Sequence, residues 1–204
     1  MDFLQHWSSR PWLMRIRFAR WDEILDTPAP DAALPHSTAM WHYARGRAFA
    51  ATGDSEAAAA ELDALRKILS SNALEGVKME FNQSTDLLRI AEKVLAGWVD
   101  AAAGRFDEAE SNLREAVARE DRLLYGEPPE WTIPTRQDLG ALLLKADRYQ
   151  KAEQAFREDL ARFPQNGWSL YGLATALREQ DREAEAAAVE ADFREVWKTA
   201  DVDL

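Results

Sequence analysis

Histidine and acidic side chains are the groups through which this sequence could hold a metal ion or carry out acid–base chemistry. The chain has three histidines, His6, His36 and His42, and no cysteine. His36 and His42 are six residues apart, so they do not share a helical face as two zinc ligands at i and i+4 would. His42 lies between Trp41 and Tyr43 in a predicted helix, where we expect a packed or hydrogen-bonded ring. The sequence therefore predicts no metal site and no cofactor.

Other signatures of catalysis are equally weak. Acidic neighbours such as Glu120 and Asp121 point in different directions on a helix. The glycines in Gly104-Arg105 and Gly167-Trp168 are isolated and do not form a phosphate-binding loop. No nucleophile elbow or kinase signature is present, and the lack of cysteine removes thiol nucleophiles and disulfides. We predict a protein that is not an enzyme, with an unrecognised hydrolase as the less favoured alternative.

Composition limits the classes of partner. The 204 residues are 47% hydrophobic, enough to bury a core, and they carry a net charge of −11. Such a charge argues against nucleic acid or an anionic membrane surface as the main partner, because both require positive patches. The first residues lack the apolar run of a signal peptide, and no stretch approaches the length of a membrane span. We predict a cytoplasmic protein with no nucleic-acid or membrane partner.

A short motif recurs five times along the chain and indicates how the predicted helices are arranged. It consists of a turn residue followed by the start of a helix, and it begins at Ala19, Gly53, Gly104, Asp147 and Asp181. The intervals are 34, 51, 43 and 34 residues. Small residues stand seven positions before and five after the motif in all but the first copy, which has Trp12 and Ile24 there. Small residues at such positions allow two helices to approach closely.

The periodicity between these motifs predicts helix pairs and no strands. Apolar residues recur at three- and four-residue spacing, as in Phe106, Ala109 and Leu113. The first helices of the pairs are predicted at 3–18, 37–51, 86–103, 134–146 and 167–180. The second helices are predicted at 20–26, 54–69, 107–123, 149–162 and 183–198.

The stretch from Leu139 and Gly140 through Leu143, Tyr149, Ala152 and Phe156 to Pro164 resembles the tetratricopeptide repeat (TPR) family. The resemblance implies an all-α, right-handed superhelical solenoid of antiparallel helix pairs, which we predict as a single domain over 1–204. We divide it into a degenerate leading pair, four TPR-like units and two insertions. The leading pair is 1–35, the units are 36–69, 86–123, 133–164 and 166–198, and the insertions are 70–85 and 122–132.

The second insertion and the helix after it resemble the C-terminal part of large bacterial TPR proteins of undefined role. These have an acidic pair, a tyrosine and an E-P-P-x-W stretch before a P-x-R-x-x-L-G helix. The corresponding residues are Glu120, Asp121, Tyr125, Glu127, Pro128, Pro129, Trp131, Pro134, Arg136, Leu139 and Gly140. The sequence departs from the pattern at Ala19, Asp147 and Asp181, where glycine is preferred. A positive φ at these positions would reduce the stability of the turns.

The roles of the insertions are left open. Insertion 70–85 is either a loop folded over a rim of the groove or a long connection between helices. In the second insertion the candidate functional residues are Tyr125, Glu127, Trp131 and, in the helix that follows, Arg136. We expect Trp131 to bury its ring. Arg136 either pairs with Glu127 or Glu130, or faces the groove and holds a carboxylate.

The first helices of a TPR stack line its concave face, and this places the predicted ligand-binding groove. Its predicted residues are aromatic, cationic or polar: Tyr43, Arg47, Trp98, Gln137, Lys145, Trp168, Tyr171 and Arg178. Aromatic rings beside cations suit an extended peptide with acidic groups. The alternative is that Trp98 and Tyr171 fill space between neighbouring helices. The predicted function is a scaffold that binds a protein or peptide.

Self-assembly through the terminal helices is the alternative function. The last predicted helix has apolar side chains at Val189, Phe193, Val196 and Trp197, and the end of a solenoid normally needs a polar cap. This face should therefore bind a partner, fold back on its own unit or form a homodimer. The tryptophans at positions 7, 12 and 21 raise the same question at the other end.

Overall fold

The structure is a computed structural model that describes residues 3–202. In this part of the chain there are ten α-helices, one 3₁₀ turn at Asn72–Leu74 and no strand. The helices are α1 (Phe3–Arg17), α2 (Trp21–Leu25), α3 (Pro35–Thr52), α4 (Ser55–Leu69), α5 (Ser84–Ala102), α6 (Phe106–Glu120), α7 (Thr135–Lys145), α8 (Tyr149–Arg162), α9 (Gly167–Arg178) and α10 (Glu183–Trp197). The predicted all-α helical repeat class is confirmed.

Local capping explains why the observed helix boundaries lie close to the predicted ones. Gly53 ends α3 with a φ of 91°, and the Asp54 side chain then accepts a hydrogen bond from the Ala57 N–H, 3.0 Å away, at the start of α4. The larger differences are at C-termini. The prediction continued α6 to residue 123, but the Leu123 N–H donates to the Glu120 carbonyl at 3.0 Å in a tight turn beyond the helix.

The chain divides into two compact units, one ending at Ile133 and the other beginning at Pro134. In the first unit α3 packs on α1 and α2, and α5 packs on α3, α4 and α6. In the second unit α9 packs on α7, α8 and α10. The second insertion therefore lies at the end of the first unit. That the whole chain forms the single domain 1–204 stays a prediction.

Close helix approaches explain the small residues of the repeated motif. A Cβ atom added at Gly97 in α5 would lie 2.8 Å from Leu113 Cγ in α6. A Cβ atom added at Gly140 in α7 would lie 2.5 Å from the ring of Phe156 in α8. Both distances are shorter than real contacts of a Cβ atom, so these helix pairs require glycine.

The three turns that lack the preferred glycine have a left-handed backbone. The φ angles are 51° at Ala19, 56° at Asp147 and 57° at Asp181. Gly53 and Gly104 occupy the same motif position with φ angles of 91° and 76°. The expected departure from favourable turn geometry is thus confirmed, and alanine tolerates this region less well than aspartate does.

Replacing Ala19 with glycine should stabilise the first unit by about 1 kcal/mol, because glycine removes the Cβ strain of a left-handed residue at a smaller entropic cost. Urea denaturation of the wild-type chain and the variant measures the difference. Ala103→Gly is the matched control, since Ala103 is an exposed turn residue with a φ of −90°. Equal effects of the two substitutions would contradict the strain at Ala19.

Candidate functional site

The second unit contains a pocket of about 230 Å³ between α9 and α10. Its lining residues come from one face of each helix: Tyr171, Ala174, Thr175, Arg178, Glu190, Phe193 and Arg194. The α9 residues lie at three- and four-residue spacing, so they share a helical face by the same periodicity that predicted the helix. We call this the α9–α10 pocket.

Aromatic rings form the apolar part of the α9–α10 pocket. The Tyr171 side chain is 45% exposed, and its ring centroid lies 5.8 Å from that of Phe193. Phe193 stacks on Trp197 at 5.4 Å, and Trp197 meets Trp168 edge-on at 4.7 Å. These ring contacts hold Phe193 in place while Tyr171 remains accessible to a ligand.

Charged side chains form the polar part of the pocket. Arg178 makes an ion pair with Glu190, and Arg194 Nη2 lies 3.3 Å from the same carboxylate. One carboxylate between two guanidinium groups leaves an excess of positive charge at this point. The pocket can therefore accept a carboxylate beside an apolar group.

The predicted groove residues of the second unit differ in their surroundings: some line the pocket, and others are exposed or buried outside it. Tyr171 and Arg178 line the α9–α10 pocket. Lys145 is exposed on α7, and Trp168 is half-buried against Trp197. Gln137 is 8% exposed, so its side chain is buried, and its predicted role in ligand binding stays a prediction.

The three predicted groove residues of the first unit contact one another. Arg47 Nη1 donates a hydrogen bond to the Tyr43 hydroxyl at 3.1 Å, and the guanidinium carbon lies 5.1 Å from the Trp98 ring centroid. Tyr43 is 0% exposed and Arg47 is 9% exposed, so both are buried. Their side chains are packed internally, and their predicted role in ligand binding stays a prediction. Trp98 is half-buried.

The two insertions bind each other through Glu130. The sequence predicts Glu130 only as a possible partner of Arg136 and does not predict this contact between the insertions. Its carboxylate accepts hydrogen bonds from the backbone N–H groups of Glu80 at 2.7 Å, Phe81 at 3.0 Å and Asn82 at 3.1 Å. The Asn82 side-chain amide also donates to it. We call Glu80, Phe81, Asn82, Leu124 and Glu130 the insertion junction.

Asn82 completes the insertion junction. The Leu124 N–H donates to Asn82 Oδ1 at 2.8 Å, and Asn82 Nδ2 donates to the Leu124 carbonyl at 3.2 Å. The Phe81 ring packs against Gly126 so closely that an added Cβ atom would lie 2.6 Å from it. Insertion 70–85 is therefore anchored to the second insertion, an arrangement that neither sequence interpretation contained.

The candidate residues of the second insertion have different surroundings. Tyr125 is 80% exposed and donates a hydrogen bond to Glu127. Trp131 is buried with its ring centroid 5.8 Å from that of Tyr43, which confirms that its ring is buried. Arg136 belongs to the second unit, where its Nε lies 3.7 Å from Glu158. Pairing of Arg136 with the second insertion stays a prediction.

A chain of hydrogen bonds runs through His6 and His36 beside the insertion junction. His6 Nε2 donates to the Glu130 carbonyl at 2.5 Å, so we assign His6 Nδ1 as the acceptor of the His36 Nε2–H at 3.2 Å. His36 Nδ1 then accepts from the Ser84 hydroxyl at 2.7 Å. Burial, reinforced by the charge that His6 would carry, lowers the pKa of His36 to about 3, and burial also lowers the pKa of His6.

This histidine chain is structural. A serine bonded to a histidine resembles a nucleophile and its base, but Ser84 and His36 are 0% exposed, so a substrate does not reach the hydroxyl. His42 Nδ1 lies 2.5 Å from Glu61 Oε2, which confirms the expectation of a hydrogen-bonded ring. Within residues 3–202 no group of three or more acidic or histidine side chains is placed to hold a metal ion.

The apolar face of α10 folds back on its own unit, which was one of the three predicted outcomes. Val189, Phe193, Val196 and Trp197 are half-buried, and the two aromatic rings contact Tyr171 and Trp168 on α9. The Trp197 Nε1–H donates to the Val202 carbonyl at 2.8 Å. At the other end Trp12 is buried and Trp7 is 38% exposed.

The sequence assigns Phe193 to the self-assembly alternative and identifies neither Glu190 nor Arg194 as a site residue. The available signal was the repeat interval, since Glu190 and Phe193 stand 34 residues after Phe156 and Asp159 of the preceding repeat.

None of the helices described between Phe3 and Trp197 combines the length and the hydropathy that crossing a membrane requires.

Comparison with known proteins agrees with the repeat pattern. The family model described as tetratricopeptide repeat matches residues 90–165, from within α5 through α8. A search of curated proteins finds no match. Residues 90–165 are therefore similar to tetratricopeptide repeats, and the helix pairs described in both units have the same all-α repeat arrangement.

Proposed function

We propose that this chain is a protein-interaction module and that its second unit binds a segment of a partner protein in the α9–α10 pocket. Tetratricopeptide repeats generally mediate protein–protein interaction. The observation that carries the choice of site is the combination of an accessible tyrosine with a charged rim in one pocket.

The chemistry of the pocket indicates what the segment should contain. Tyr171 and Phe193 offer ring surface for an apolar side chain, and Arg178 and Arg194 offer cations for a carboxylate. Tyrosine and arginine are the residue types that most often dominate binding energy at protein interfaces. A segment with an apolar residue beside an acidic one fits this arrangement.

Removing either of the two accessible anchors should reduce partner capture. We expect Tyr171→Ala and Arg178→Gln each to weaken binding by about ten-fold, since truncation of an interface anchor typically costs ~1.4 kcal/mol or more. Affinity capture from a lysate of cells that produce the protein, read by mass spectrometry against the wild-type chain, measures the loss.

Lys145→Gln is the matched control, because it removes one positive charge from an exposed position on α7 outside the pocket. We expect the control to capture the same partners as the wild-type chain. If Lys145→Gln loses the partners while Tyr171→Ala and Arg178→Gln retain them, the site is elsewhere on the first helices, as the predicted concave groove requires.

Self-assembly has weaker support than partner binding. The aromatic side chains of α10 pack on α9, so that face has less apolar surface to cover in a homodimer. The buried Ser84 and His36 give no support to the hydrolase alternative. A cytoplasmic location and a bacterial origin rest on the sequence alone and stay predictions.

A further inference from the structure

The helix pair before α9 and α10 consists of α7 and α8. On that pair, the surface that corresponds to the α9–α10 pocket is covered by α9. In the second unit α9 packs on both α7 and α8, and it buries Phe156 and Asp159 of α8. An added Cβ atom at Gly172 of α9 would overlap the Phe156 ring, so the covering helix is in close contact there.

Repeat register identifies the α9–α10 pocket as the same surface in the next pair. Glu190 and Phe193 stand 34 residues after Phe156 and Asp159, and they line the pocket. The interval is that of the tetratricopeptide repeat. Up to Val202, the structure describes no helix after α10 that covers them.

The covering element is helical in each unit. In the first unit α5 packs on both α3 and α4, as α9 packs on α7 and α8 in the second. A groove between two helices of a pair accepts a third helix because its ridges match those of a neighbouring helix. The geometry of the α9–α10 pair thus favours a helical occupant over an extended one.

Side-chain chemistry distinguishes this occupant from α9. In the preceding pair, the buried Asp159 carboxylate accepts hydrogen bonds from Ser169 Oγ at 2.5 Å and Asn166 Nδ2 at 2.7 Å, both at the start of α9. The corresponding residue of α10 is Phe193, whose half-buried ring offers an apolar surface in place of these polar contacts.

Charge also differs between the groove of the α7–α8 pair and that of the α9–α10 pair. The position that Phe156 occupies in α8 is occupied in α10 by Glu190. Glu190 lies between Arg178 and Arg194, so one guanidinium charge is left uncompensated. A carboxylate on the occupant would compensate it. The occupant should therefore have an apolar stripe with acidic residues beside it.

We infer that the α9–α10 pocket binds an amphipathic α-helix of another protein, seated as the first helix of a following repeat, with an acidic side chain against Arg178 and Arg194. The inference rests on the proposed function, and adds the conformation and the charge of the partner segment. It assigns the end of the second unit, between α9 and α10, as the docking surface.

Three synthetic peptides test the conformation and the charge. Each has about 18 residues, long enough to form helix in water when rich in alanine. The acidic helix peptide has leucines at i, i+3, i+4 and i+7 with flanking glutamates. The basic helix peptide replaces the glutamates with lysines, and the broken peptide has a proline at the centre of the acidic sequence.

Binding to the full chain is measured by titration calorimetry, with NMR shifts of the Tyr171 and Phe193 amides to locate it. We expect the acidic helix peptide to bind with a Kd below about 1 mM and to shift both amides. The broken peptide should bind at least ten-fold more weakly, because proline disrupts the helix. The basic helix peptide should bind about five-fold more weakly, because its lysines face the arginines.

Arg194→Glu should reverse the charge preference, so that the basic helix peptide binds more tightly than the acidic one. Arg194 is exposed at the edge of the pocket, so the substitution leaves the core of the unit unchanged. Lys198→Glu is the matched control, since it makes the same charge change one turn further along the chain, outside the pocket. The control should keep the preference for the acidic peptide.

Three results would overturn the helical occupant. They are equal binding of the broken and acidic peptides, no binding of the acidic helix peptide at about 1 mM, and shifts of the Tyr171 and Phe193 amides that depend on the concentration of the chain alone. The last would make a second copy the occupant. The proposed function fails by a separate result, the capture of unchanged partners by Tyr171→Ala and Arg178→Gln.

Discussion

Replacing Glu130 with glutamine should destabilise the first unit by about 2–3 kcal/mol, the largest effect that we expect from a single substitution outside the apolar core. The Glu130 carboxylate accepts three backbone N–H groups and the Asn82 amide. Glutamine retains one oxygen and turns an NH₂ group toward donors that it cannot satisfy. If the oxygen stays at the Oε1 position, the buried Asn82 N–H and side-chain amide lose their acceptor, and the charge assistance is lost as well.

Hydrogen exchange of the Glu80, Phe81 and Asn82 amides measures this effect where it acts, and urea denaturation measures it for the whole chain. Glu127→Gln is the matched control, because Glu127 is exposed in the same insertion and accepts from Tyr125. We expect less than about 0.5 kcal/mol from the control. Unchanged exchange of the three amides in Glu130→Gln would refute the junction.

Acidification should destabilise the first unit between about pH 6.5 and pH 3. His36 has a pKa of about 3 in the folded chain and its ordinary pKa of 6.5 in the unfolded chain. Between these values the unfolded chain binds the proton and the folded chain does not. The free energy of unfolding therefore falls as the pH falls. The stabilising contribution of His36 is fully present above pH 6.5 and is lost as the pH approaches 3.

The expected size is roughly 1.4 kcal/mol for each pH unit within this window, or about 4 kcal/mol in total from His36. The lowered pKa of His6 adds an effect of the same sign. Protonation also removes an acceptor from the histidine chain, because the His36 Nδ1 atom that accepts from Ser84 then becomes a donor.

Urea denaturation at a series of pH values measures this dependence in the wild-type chain and in His36→Gln. The variant should be less stable at pH 7 but should lose less stability on acidification, while carboxylates contribute equally to both proteins. Ala103→Gly, an exposed substitution that adds or removes no titratable group, should keep the wild-type slope. A His36→Gln slope equal to the wild-type slope between pH 6.5 and pH 4 would refute the buried neutral histidine.

Helices and their pairing could be predicted from the sequence because both depend on local features. Three- and four-residue periodicity, the capping Asp54 and the glycines at close helix approaches lie within a few residues of the structure that they determine. The left-handed turns at Ala19, Asp147 and Asp181 could be predicted because they share a motif position with Gly53 and Gly104.

The insertion junction could not be predicted in this way. Glu130 lies 48 residues from Asn82 and binds mainly backbone N–H groups, which nearly every residue possesses. No pattern of side chains distinguishes these donors from others. The histidine chain likewise joins residues that are 30 to 124 positions apart.

A comparison of Tyr43 with Tyr171 shows what the sequence determines and what only the tertiary structure decides. Both stand three residues before the small residue of their repeat, Gly46 or Ala174, so the repeat pattern assigns them the same helical face. Tyr43 is 0% exposed and meets Trp131 from the distant second insertion, whereas Tyr171 is 45% exposed in the α9–α10 pocket. The sequence alone determines the face of a helix on which a side chain lies, because that depends on local geometry. Its accessibility is decided only in the tertiary structure, because that depends on which distant segment packs over it.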